Sequence, residues 1–408
     1  MNGIDPNSFL AIVVAAAVAG TIVAALAPRV LIPVVVIELL LGIIIGPQVL
    51  NLAHVDDFTN FFGNLGLGML FFFAGYEIDF ERIRGRPLDL AVMAWVFSLA
   101  IAYGAGGVLA AVGIVISLVY TGSALATTAI GTLIPILRDA GELRTRFGTY
   151  LLASGAIGEF GPVLLITLVL STTHPIEEAL ILVAFVVLAV ATGVLAVRSA
   201  ARGWPVLERT FESSSQLAIR LTVVLIFALL ALATHLGLDL LLGGFVAGLI
   251  TRFALHDREL VVFESKITAV GYGFLIPFFF ITSGMKFDLD ALFGSATAML
   301  KLPLFLGLFL VVRGLPAMLL YRHDLDRRDR TALAFYSSTE LPLVVAITTV
   351  AVETGHMRTS TSAALVGAAM VSTLVYPLVG MRLRRGRIEE ADAEAAEQRP
   401  PETAPVTV

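Results

Sequence analysis

Long apolar stretches recur along this chain, and no other feature limits its fold so strongly. A helix needs about 20 apolar residues to cross the hydrocarbon core of a bilayer. Thirteen segments approach or exceed that length, at 8–27, 30–47, 64–80, 88–111, 114–137, 147–171, 178–197, 218–235, 238–254, 266–284, 291–321, 331–353 and 360–381. The sequence therefore predicts an all-α polytopic membrane protein with about 13 transmembrane helices.

Composition excludes several other classes of protein. Hydrophobic residues make up 58% of the chain and charged residues 14%, whereas soluble domains carry about 25% charged residues. The basic residues form no dense patch beside aromatic residues, which argues against nucleic-acid binding. Cysteine is absent, so disulfides and thiolate metal sites are excluded. No phosphate-binding loop, nucleophile motif or metal-site spacing occurs, so we expect neither enzymatic activity nor a cofactor.

The basic residues predict the orientation of the chain. All but four of the 27 lie in, or at the ends of, the loops that face one side if the spans alternate, and in the C-terminal tail. Loops on the opposite side are acidic or neutral, as in HVDDFTN (54–60) and THPIEE (173–178). This is the positive-inside pattern. It predicts a cell-membrane protein with its N-terminus outside and its C-terminus in the cytoplasm.

We divide the chain into a transmembrane domain, 1–381, and a tail, 382–408. The tail begins RLRRGR, which resembles a juxtamembrane anchor, and continues with an acidic, proline-containing stretch. Such a composition favours disorder. We therefore expect a disordered cytoplasmic tail and no soluble regulatory domain in the chain.

Two pairs of segments indicate an internal repeat. ELLLGIIIG, which begins at Glu38, resembles DLLLGGFVAG, which begins at Asp239, and GMLFFFAGYEIDF (68–80) resembles GFLIPFFFITSGMKFDL (273–289). The copies lie seven spans apart, an odd number, so they must point in opposite directions. Inverted repeats of this kind are typical of secondary transporters. We assign repeat one to about 8–171, a linker helix to about 178–197 and repeat two to about 218–381.

Glu159 lies in the middle of the sixth span, in YLLASGAIGEFGPVLL (150–165). An ionisable side chain at that depth costs about 2.5–3.5 kcal/mol on insertion scales, so it needs a partner or a path to water. Because desolvation disfavours the charged form of a carboxylate and a nearby cation favours it, such a group can exchange a proton for a metal ion. A carboxylate held in a fixed ion pair is the alternative interpretation.

Two spans carry polar residues at mid-membrane that predict interrupted helices. The twelfth contains Glu340 among Ser337, Ser338, Thr339 and Pro342, and the fifth contains TGSALATTAIG (121–131). Serine and threonine compete for backbone hydrogen bonds, and proline removes one. Interrupted helices at corresponding positions of two repeats indicate a substrate site. Ordinary Ser/Thr contacts between intact helices are the alternative.

Arg313 is the one basic residue predicted deep in the bilayer. We expect it either to pair with an acid, Glu159 or Glu340, or to cap the C-terminal ends of the interrupted helices. Lys301 lies nearer the end of the same span, where its long side chain can reach the interface. Glu38 lies near the start of the second span, and the sequence does not assign it a role.

These residues resemble the monovalent cation–proton antiporter superfamily, in particular the Kef-type sodium/potassium–proton exchangers. The matching stretches are IELLLGIIIGP (37–47), GMLFFFAGYEIDF (68–80), ATTAIGTLIPILRDAG (126–141), FVAGLI with IPFFFITSGMKFD (245–250, 276–288) and SSTELPLVV (337–345). The resemblance implies a homodimer. Each protomer would contain a core bundle with two crossed, discontinuous helices and a separate dimerisation bundle, and transport would follow an elevator movement.

The resemblance also implies roles for individual residues. Glu159 matches the ion-binding carboxylate, which is Asp in the family, and Gly158 stands where the family has a polar residue. Arg313 matches the basic residue of the eleventh span, Thr127 or Thr128 matches the threonine of the first interrupted helix, and Glu340 matches the acid of the second. Ion and proton binding is thus assigned to Glu159, Thr127, Thr128 and Ser154, and charge balance or helix interruption to Arg313, Glu340, Ser337 and Ser338.

The predicted function is antiport of a monovalent cation, Na⁺ or K⁺, against H⁺. One carboxylate beside a permanently charged arginine suggests electroneutral one-for-one exchange. The expected partners are these ions, the lipid bilayer and a second copy of the chain. A cation channel and an ion-coupled symporter of an organic anion are the alternative functions.

Overall fold

A computed structural model describes most of the transmembrane domain. It covers residues 5–26, 34–77, 83–169, 216–236, 240–254, 257–294 and 296–385, with short pieces at 184–185, 187–188 and 191–192. The predicted linker helix at 178–197 lies almost entirely outside the described residues. So do Asp79 and Asp239 of the sequence repeat and the tail beyond residue 385.

Helices make up nearly all of the described chain, and no strand occurs within it. In chain order they are α1 Pro6–Leu26, α2 Val34–Ile45, α3 Asp57–Tyr76, α4 Arg86–Ala111, α5 Leu118–Leu125, α6 Ile130–Asp139, α7 Arg146–Val169, α8 Leu217–His235, α9 Leu240–Ala254, α10 Asp257–Val270, α11 Ile276–Met285, α12 Leu289–Phe293, α13 Ala296–Phe309, α14 Leu315–Leu320, α15 Arg327–Ser337, α16 Pro342–Glu353 and α17 Thr359–Arg384. Every predicted span except the seventh coincides with one, two or three of them.

Length and composition agree with a membrane environment. Within the described residues, eight helical segments are long and apolar enough to cross a bilayer, and three apolar helices are shorter. Large apolar side chains are exposed on the outer surfaces of several helices, among them Leu10 on α1, Val96 on α4 and Val224 on α8. Such a surface suits lipid and not water. The chain is therefore a multi-pass helical membrane protein.

Two long helices each contain one turn of π-helix. One turn, Gly271–Leu275, joins α10 to α11, and the other, Leu310–Gly314, joins α13 to α14. Each is followed by a proline at the second position, Pro277 or Pro316. Proline lacks an N–H and its ring crowds the preceding turn, so a wider turn relieves the clash. The second π-turn carries Arg313.

The helices pack as two bundles. Helices α1–α3 and α8–α11 contact one another and are called here the flanking bundle. Helices α4–α7 and α12–α17 form the second, which is called the site bundle. Each bundle combines helices from both halves of the chain. Contacts between the bundles include those of α3 with α6 and of α2 with α17.

Glycines bring paired helices of the flanking bundle into backbone contact. A Cβ on Gly42 of α2 would overlap the carbonyl group of Ile281 on α11. In return, a Cβ on Gly284 would overlap the carbonyl of Leu39 on α2. Each glycine therefore packs against the residue that lies three positions before the other glycine in the sequence.

The same reciprocal contact joins α3 to α9. Gly248 of α9 lies against the carbonyl of Phe72, and Gly75 of α3 lies against the carbonyl of Phe245. Phe72 and Phe245 again stand three positions before the partner glycines. In the sequence repeat, α2 corresponds to α9 and α3 corresponds to α10–α11. The inverted repeat therefore relates the α2–α11 contact to the α3–α9 contact, so the presence of one predicts the other.

Buried charges join the two halves of the site bundle at one end. Arg384 donates to both carboxylate oxygens of Glu142, at 2.8 and 2.9 Å, and to Asp329 at 2.6 Å. Nearby, Arg86 donates to both oxygens of Asp324. Hydrogen bonding from Arg86 holds the pKa of Asp324 below its usual value. This interaction is therefore present at neutral pH and is lost only when acidification protonates the carboxylate.

This arrangement corrects the predicted boundary of the tail. Residue 382 was expected to begin a disordered segment, yet α17 continues to Arg384. The Arg384 side chain is buried and lies over the ring of Phe147, 4.3 Å from its centroid. The basic composition of RLRRGR suggested an exposed anchor, but the acids that pair with Arg384 are distant in sequence.

We predict that Gly248→Ala destabilises the protein. The added methyl group would overlap the Phe72 carbonyl and come 2.7 Å from the Tyr76 amide nitrogen, and overpacking of this kind costs about 1–3 kcal/mol. Gly104→Ala is the matched control, because nothing lies within 4 Å of its added Cβ. The midpoint of thermal unfolding in detergent should fall for Gly248→Ala and not for Gly104→Ala. Equal midpoints would contradict the close crossing.

Candidate functional site at the crossing of two interrupted helices

The first interruption separates α5 from α6 at residues 126–129. The backbone groups freed there find partners elsewhere in the bundle. The Thr128 amide donates to the Gly158 carbonyl at 3.0 Å, and the Ala126 carbonyl accepts from the indole nitrogen of Trp95 at 3.2 Å. Non-helical backbone at membrane depth is tolerated where neighbouring groups satisfy it in this way.

The second interruption separates α15 from α16 at residues 338–341. Pro342 begins α16, and a proline disfavours helical geometry in the residue before it; Leu341 accordingly has φ −161° and ψ −66°. Ser372 and Thr373 of α17 satisfy the free backbone. The Ser372 hydroxyl accepts from the Glu340 amide at 3.0 Å, and the Thr373 hydroxyl donates to the Glu340 carbonyl at 3.0 Å.

The two interruptions cross in direct contact. The Ala129 amide donates to the Thr339 carbonyl at 2.8 Å. The Thr128 hydroxyl donates to the Ser337 carbonyl at 2.5 Å, and the hydroxyls of Ser154 and Ser337 lie 3.1 Å apart. The predicted pair of interrupted helices is therefore present in the fold and crosses at mid-membrane.

Arg313 binds the crossing from one side. Its guanidinium donates to the Thr128 hydroxyl at 2.9 Å, the Ser98 hydroxyl at 3.2 Å and the Ser154 carbonyl at 3.2 Å. A longer contact of 3.4 Å reaches the Ser337 carbonyl at the C-terminal end of α15. No carboxylate of the described residues lies within 4.0 Å of the guanidinium. Of the two expectations, the geometry matches the capping of a helix end and not the ion pair.

Gly158 provides the space that this guanidinium occupies. A Cβ at position 158 would overlap Nη2 of Arg313 and would come 2.7 Å from the Thr128 hydroxyl oxygen. Glycine at position 158 is therefore explained by the nearby guanidinium of Arg313, which leaves no room for a side chain. Arg313 fills the volume next to the backbone immediately before Glu159.

Glu159 is buried and 1% exposed. Neither carboxylate oxygen has a hydrogen-bond partner among the described residues. The backbone amides of Ile130 and Gly131, the first two residues of α6, face the carboxylate without forming a hydrogen bond to it. A helix N-terminus carries partial positive charge, so the carboxylate faces a favourable potential without a fixed partner.

Glu340 differs from Glu159 in its contacts. One carboxylate oxygen accepts a short hydrogen bond from the Thr127 hydroxyl, and the other has no partner among the described residues. The bond connects the two interruptions a second time. Glu340 therefore belongs to the crossing itself.

The predicted hydroxyl ligands make their hydrogen bonds away from Glu159. Thr127 bonds to Glu340 and to the Ala124 carbonyl, and Thr128 and Ser154 bond to Ser337. Ser338, predicted at the helix interruption, donates to the Ala334 carbonyl within its own helix. The structure thus brings the predicted residues into one cluster but leaves Glu159 facing backbone amides.

Sequence reasoning missed four residues that contact the crossing, namely Trp95, Ser98, Ser372 and Thr373. Trp95 and Ser98 lie one turn apart on α4, so their spacing could have indicated a polar contact on that helix. Ser372 and Thr373 on α17 had no comparable pattern in the sequence that indicated such a contact.

Two further intramembrane residues lie outside the crossing. Lys301 is buried, and its ammonium donates to the Thr361 hydroxyl at 2.9 Å. Its side chain is thus directed to the N-terminal turn of α17. Glu38 is 3% exposed, and one of its carboxylate oxygens has no hydrogen-bond partner among the described residues.

These features define an inverted-repeat membrane protein whose candidate site is the crossing of two interrupted helices. The chain belongs to the sodium/hydrogen exchanger family, whose transmembrane domain matches residues 13–383. The fold is also similar to that of the sodium–proton antiporter MjNhaP1 from Methanocaldococcus jannaschii. The TM-score is 0.59 at 18% identity, over 94% of this chain and 97% of that one.

Curated relatives match between about two thirds and nearly nine tenths of this chain. The putative Na⁺/H⁺ antiporter YjbQ of Bacillus subtilis is 27% identical over 86% of this chain, which spans 59% of that relative. The probable Na⁺/H⁺ antiporter 3 of M. jannaschii is 29% identical over 66% of this chain and 70% of its own length. The Na⁺/H⁺-K⁺ antiporter GerN of Bacillus cereus is 26% identical over 64% of this chain and 67% of its own.

We predict that Thr128→Val weakens the crossing. The hydroxyl of Thr128 donates to Ser337 and accepts from Arg313, so its loss leaves the Ser337 carbonyl and the Arg313 Nε–H with only their longer 3.4 Å contact to each other, at a cost of about 1–3 kcal/mol. Thermal stability in detergent should fall for Thr128→Val and remain near wild type for Thr128→Ser, which keeps the hydroxyl. Unchanged stability in Thr128→Val would contradict this role, because that variant keeps the methyl group and removes only the hydroxyl.

Proposed function

We propose that this protein exchanges a monovalent cation, Na⁺ or K⁺, for H⁺ across the cell membrane. The observation that carries this proposal is the carboxylate of Glu159, which is buried beside the N-terminus of α6 and has no fixed partner among the described residues. A carboxylate held in a permanent ion pair could not alternate between ligands. Glu159 could bind either a proton or a cation in turn.

The chemistry of the site suits hard monovalent cations. Such ions require oxygen ligands, and Glu159 would supply the charged one. The hydroxyls of Thr127, Thr128 and Ser154 are candidates for the neutral ligands, but each must first leave the partner that it has in the crossing. Cation binding would therefore be accompanied by rearrangement of the crossing. No resident cofactor enters this scheme.

Charge balance favours one-for-one exchange. Arginine remains protonated throughout the physiological pH range, and Arg313 makes its hydrogen bonds to neutral hydroxyls and carbonyls. Glu159 is then the group that changes ligand. Binding one cation in place of one proton leaves the charge of the site unchanged, which makes the overall exchange electroneutral.

The relatives support the class of reaction. Those described above are named as Na⁺/H⁺ antiporters, and GerN also as an antiporter of K⁺. Because the chain spans 59% of YjbQ, the activity of that whole protein is not assigned to this chain. The narrower assignment to Kef-type exchangers, suggested by the sequence motifs, stays a prediction.

The two-bundle architecture suggests how access could alternate. We propose that the site bundle moves against the flanking bundle as an elevator, with the flanking bundle forming a homodimer interface. The distribution of basic residues assigns the N-terminus to the outside and the C-terminus to the cytoplasm. On this assignment Arg384 and Glu142 lie at the cytoplasmic end, and Asn60 and Glu353 at the outer end.

We predict that Glu159→Gln abolishes proton-coupled cation exchange. The amide keeps the shape of the side chain but cannot bind a proton and a cation alternately. In proteoliposomes with an internal pH dye, external Na⁺ or K⁺ should cause alkalinisation with wild type and not with Glu159→Gln. Glu38→Gln, a second buried glutamate outside the crossing, is the control. Full exchange in Glu159→Gln would remove this residue from the mechanism.

We predict that exchange does not depend on membrane voltage. An imposed potential of about 100 mV would favour net charge movement by about 2.3 kcal/mol per elementary charge, whereas one-for-one exchange moves none. Initial rates in proteoliposomes should therefore be equal with and without a valinomycin-clamped potential, with Na⁺ as the transported cation. Voltage-dependent rates would exclude the one-for-one ratio. Single-channel currents would indicate a channel, and Na⁺-driven uptake of a labelled organic acid a symporter.

A further inference from the structure

A cleft of about 530 Å³ separates the two bundles at the end that we assign to the outside. One wall comes from α3 and the end of α11 in the flanking bundle, with Asn60, Leu67 and Thr282 among its residues. The other comes from α16 and α17 in the site bundle, and includes Pro342 and Glu353. Any change in the separation of the bundles would change the width of this cleft.

The cleft extends from the protein surface to the depth of the crossing. Pro342 directly follows the second interruption, and Leu67 lies one turn from Leu70 on α3. The Leu70 side chain in turn packs against Gly131, whose amide is one of those that face Glu159. Because Glu159 is itself 1% exposed, the cleft ends short of the carboxylate, at an apolar barrier.

Opposite charges line the mouth of the cleft from the two bundles. Lys286 is the C-cap residue of α11 in the flanking bundle, and Glu353 is the last residue of α16 in the site bundle. The charge of Glu353 acts on Lys286 across the gap. The third charged residue of the lining, Asp288, is engaged in capping α12, where it accepts from the Ala291 amide at 2.7 Å.

Lys286 and Glu353 do not form an ion pair in this arrangement. The Lys286 ammonium donates to Asn60 Oδ1 at 2.5 Å, and Asn60 belongs to the same bundle as Lys286. Glu353 makes no ion pair with a described residue. The two charges therefore stand apart across an open cleft, and Lys286 uses a neutral partner on its own side.

We propose that Lys286 and Glu353 form an ion pair that closes the outer cleft when the bundles approach, and that they separate to admit the cation. This inference rests on the proposed function and adds residues that neither the sequence motifs nor the crossing identifies. The pair joins one residue from each bundle at the mouth of a cleft that both bundles line. In the closed state, Lys286 would exchange Asn60 for the carboxylate of Glu353.

Disulfide trapping tests this closure directly. Because the native chain contains no cysteine, the variant Lys286→Cys/Glu353→Cys introduces the only two thiols. Oxidation in proteoliposomes should trap an intramolecular disulfide whenever the approach of the bundles brings the two Cα atoms within about 7 Å. Na⁺-induced alkalinisation should then fall at least tenfold and recover after reduction. The two single-cysteine variants are the controls and should be insensitive to oxidant.

A charge exchange provides an independent test that needs no cross-link. Lys286→Glu and Glu353→Lys each place like charges across the mouth and should slow exchange by up to about fivefold, the range of an exposed ion pair. The double reversal restores opposite charges and should return the rate to within about twofold of wild type. Asn60→Ala should exchange at nearly the wild-type rate, because Asn60 is the partner of Lys286 in the open state alone.

The outcomes separate this inference from the proposed function. Failure of the unmodified protein to exchange Na⁺ or K⁺ for H⁺ would overturn the proposed function. If the unmodified protein exchanges, the closing pair is wrong when the cross-linked protein transports at the full rate or when the double reversal is slower than both single variants. Reversible inactivation together with charge-exchange rescue would support it.

Discussion

The guanidinium of Arg313 is the interaction on which the site depends. It contacts α4 through Ser98, the first interruption through Thr128, and α7 through the Ser154 carbonyl. A longer contact reaches the end of α15. Interrupted helices expose backbone groups that lipid cannot satisfy. One permanently charged group, with donors in several directions, satisfies acceptors from four segments and supplies the positive charge that the crossing requires.

The flanking bundle solves a different physical problem. Its helices associate in an environment where burial of apolar side chains gives little driving force, so close packing must contribute. The glycines at positions 42, 284, 75 and 248 permit this packing, and they do so in two contacts related by the inverted repeat. One bundle is thus held by backbone proximity and the other by polar contacts. This difference is consistent with a stable support beside a site that rearranges.

Local patterns in the sequence predicted much of the architecture. Apolar length located the helices, Pro342 with its neighbouring hydroxyls located one interruption, and Glu159 stood out because an acid is costly at mid-span. Each of these signals depends on a residue and its near neighbours. The fold therefore followed from physical rules that act within a few turns of helix.

Long-range partners could not be predicted in the same way. Arg384 was assigned to an exposed anchor, since nothing in RLRRGR indicates that Glu142 and Asp329 lie beside it. The hydroxyls of Thr127 and Ser154 were assigned to an ion, but the folded chain gives them protein partners. Which acceptor a buried hydroxyl finds is decided by the packing of distant segments. Gly158 illustrates the consequence for sequence change. A side chain at position 158 would need the volume that the guanidinium of Arg313 occupies. A larger residue at position 158 would therefore displace the guanidinium of Arg313 from its place beside the backbone that precedes Glu159.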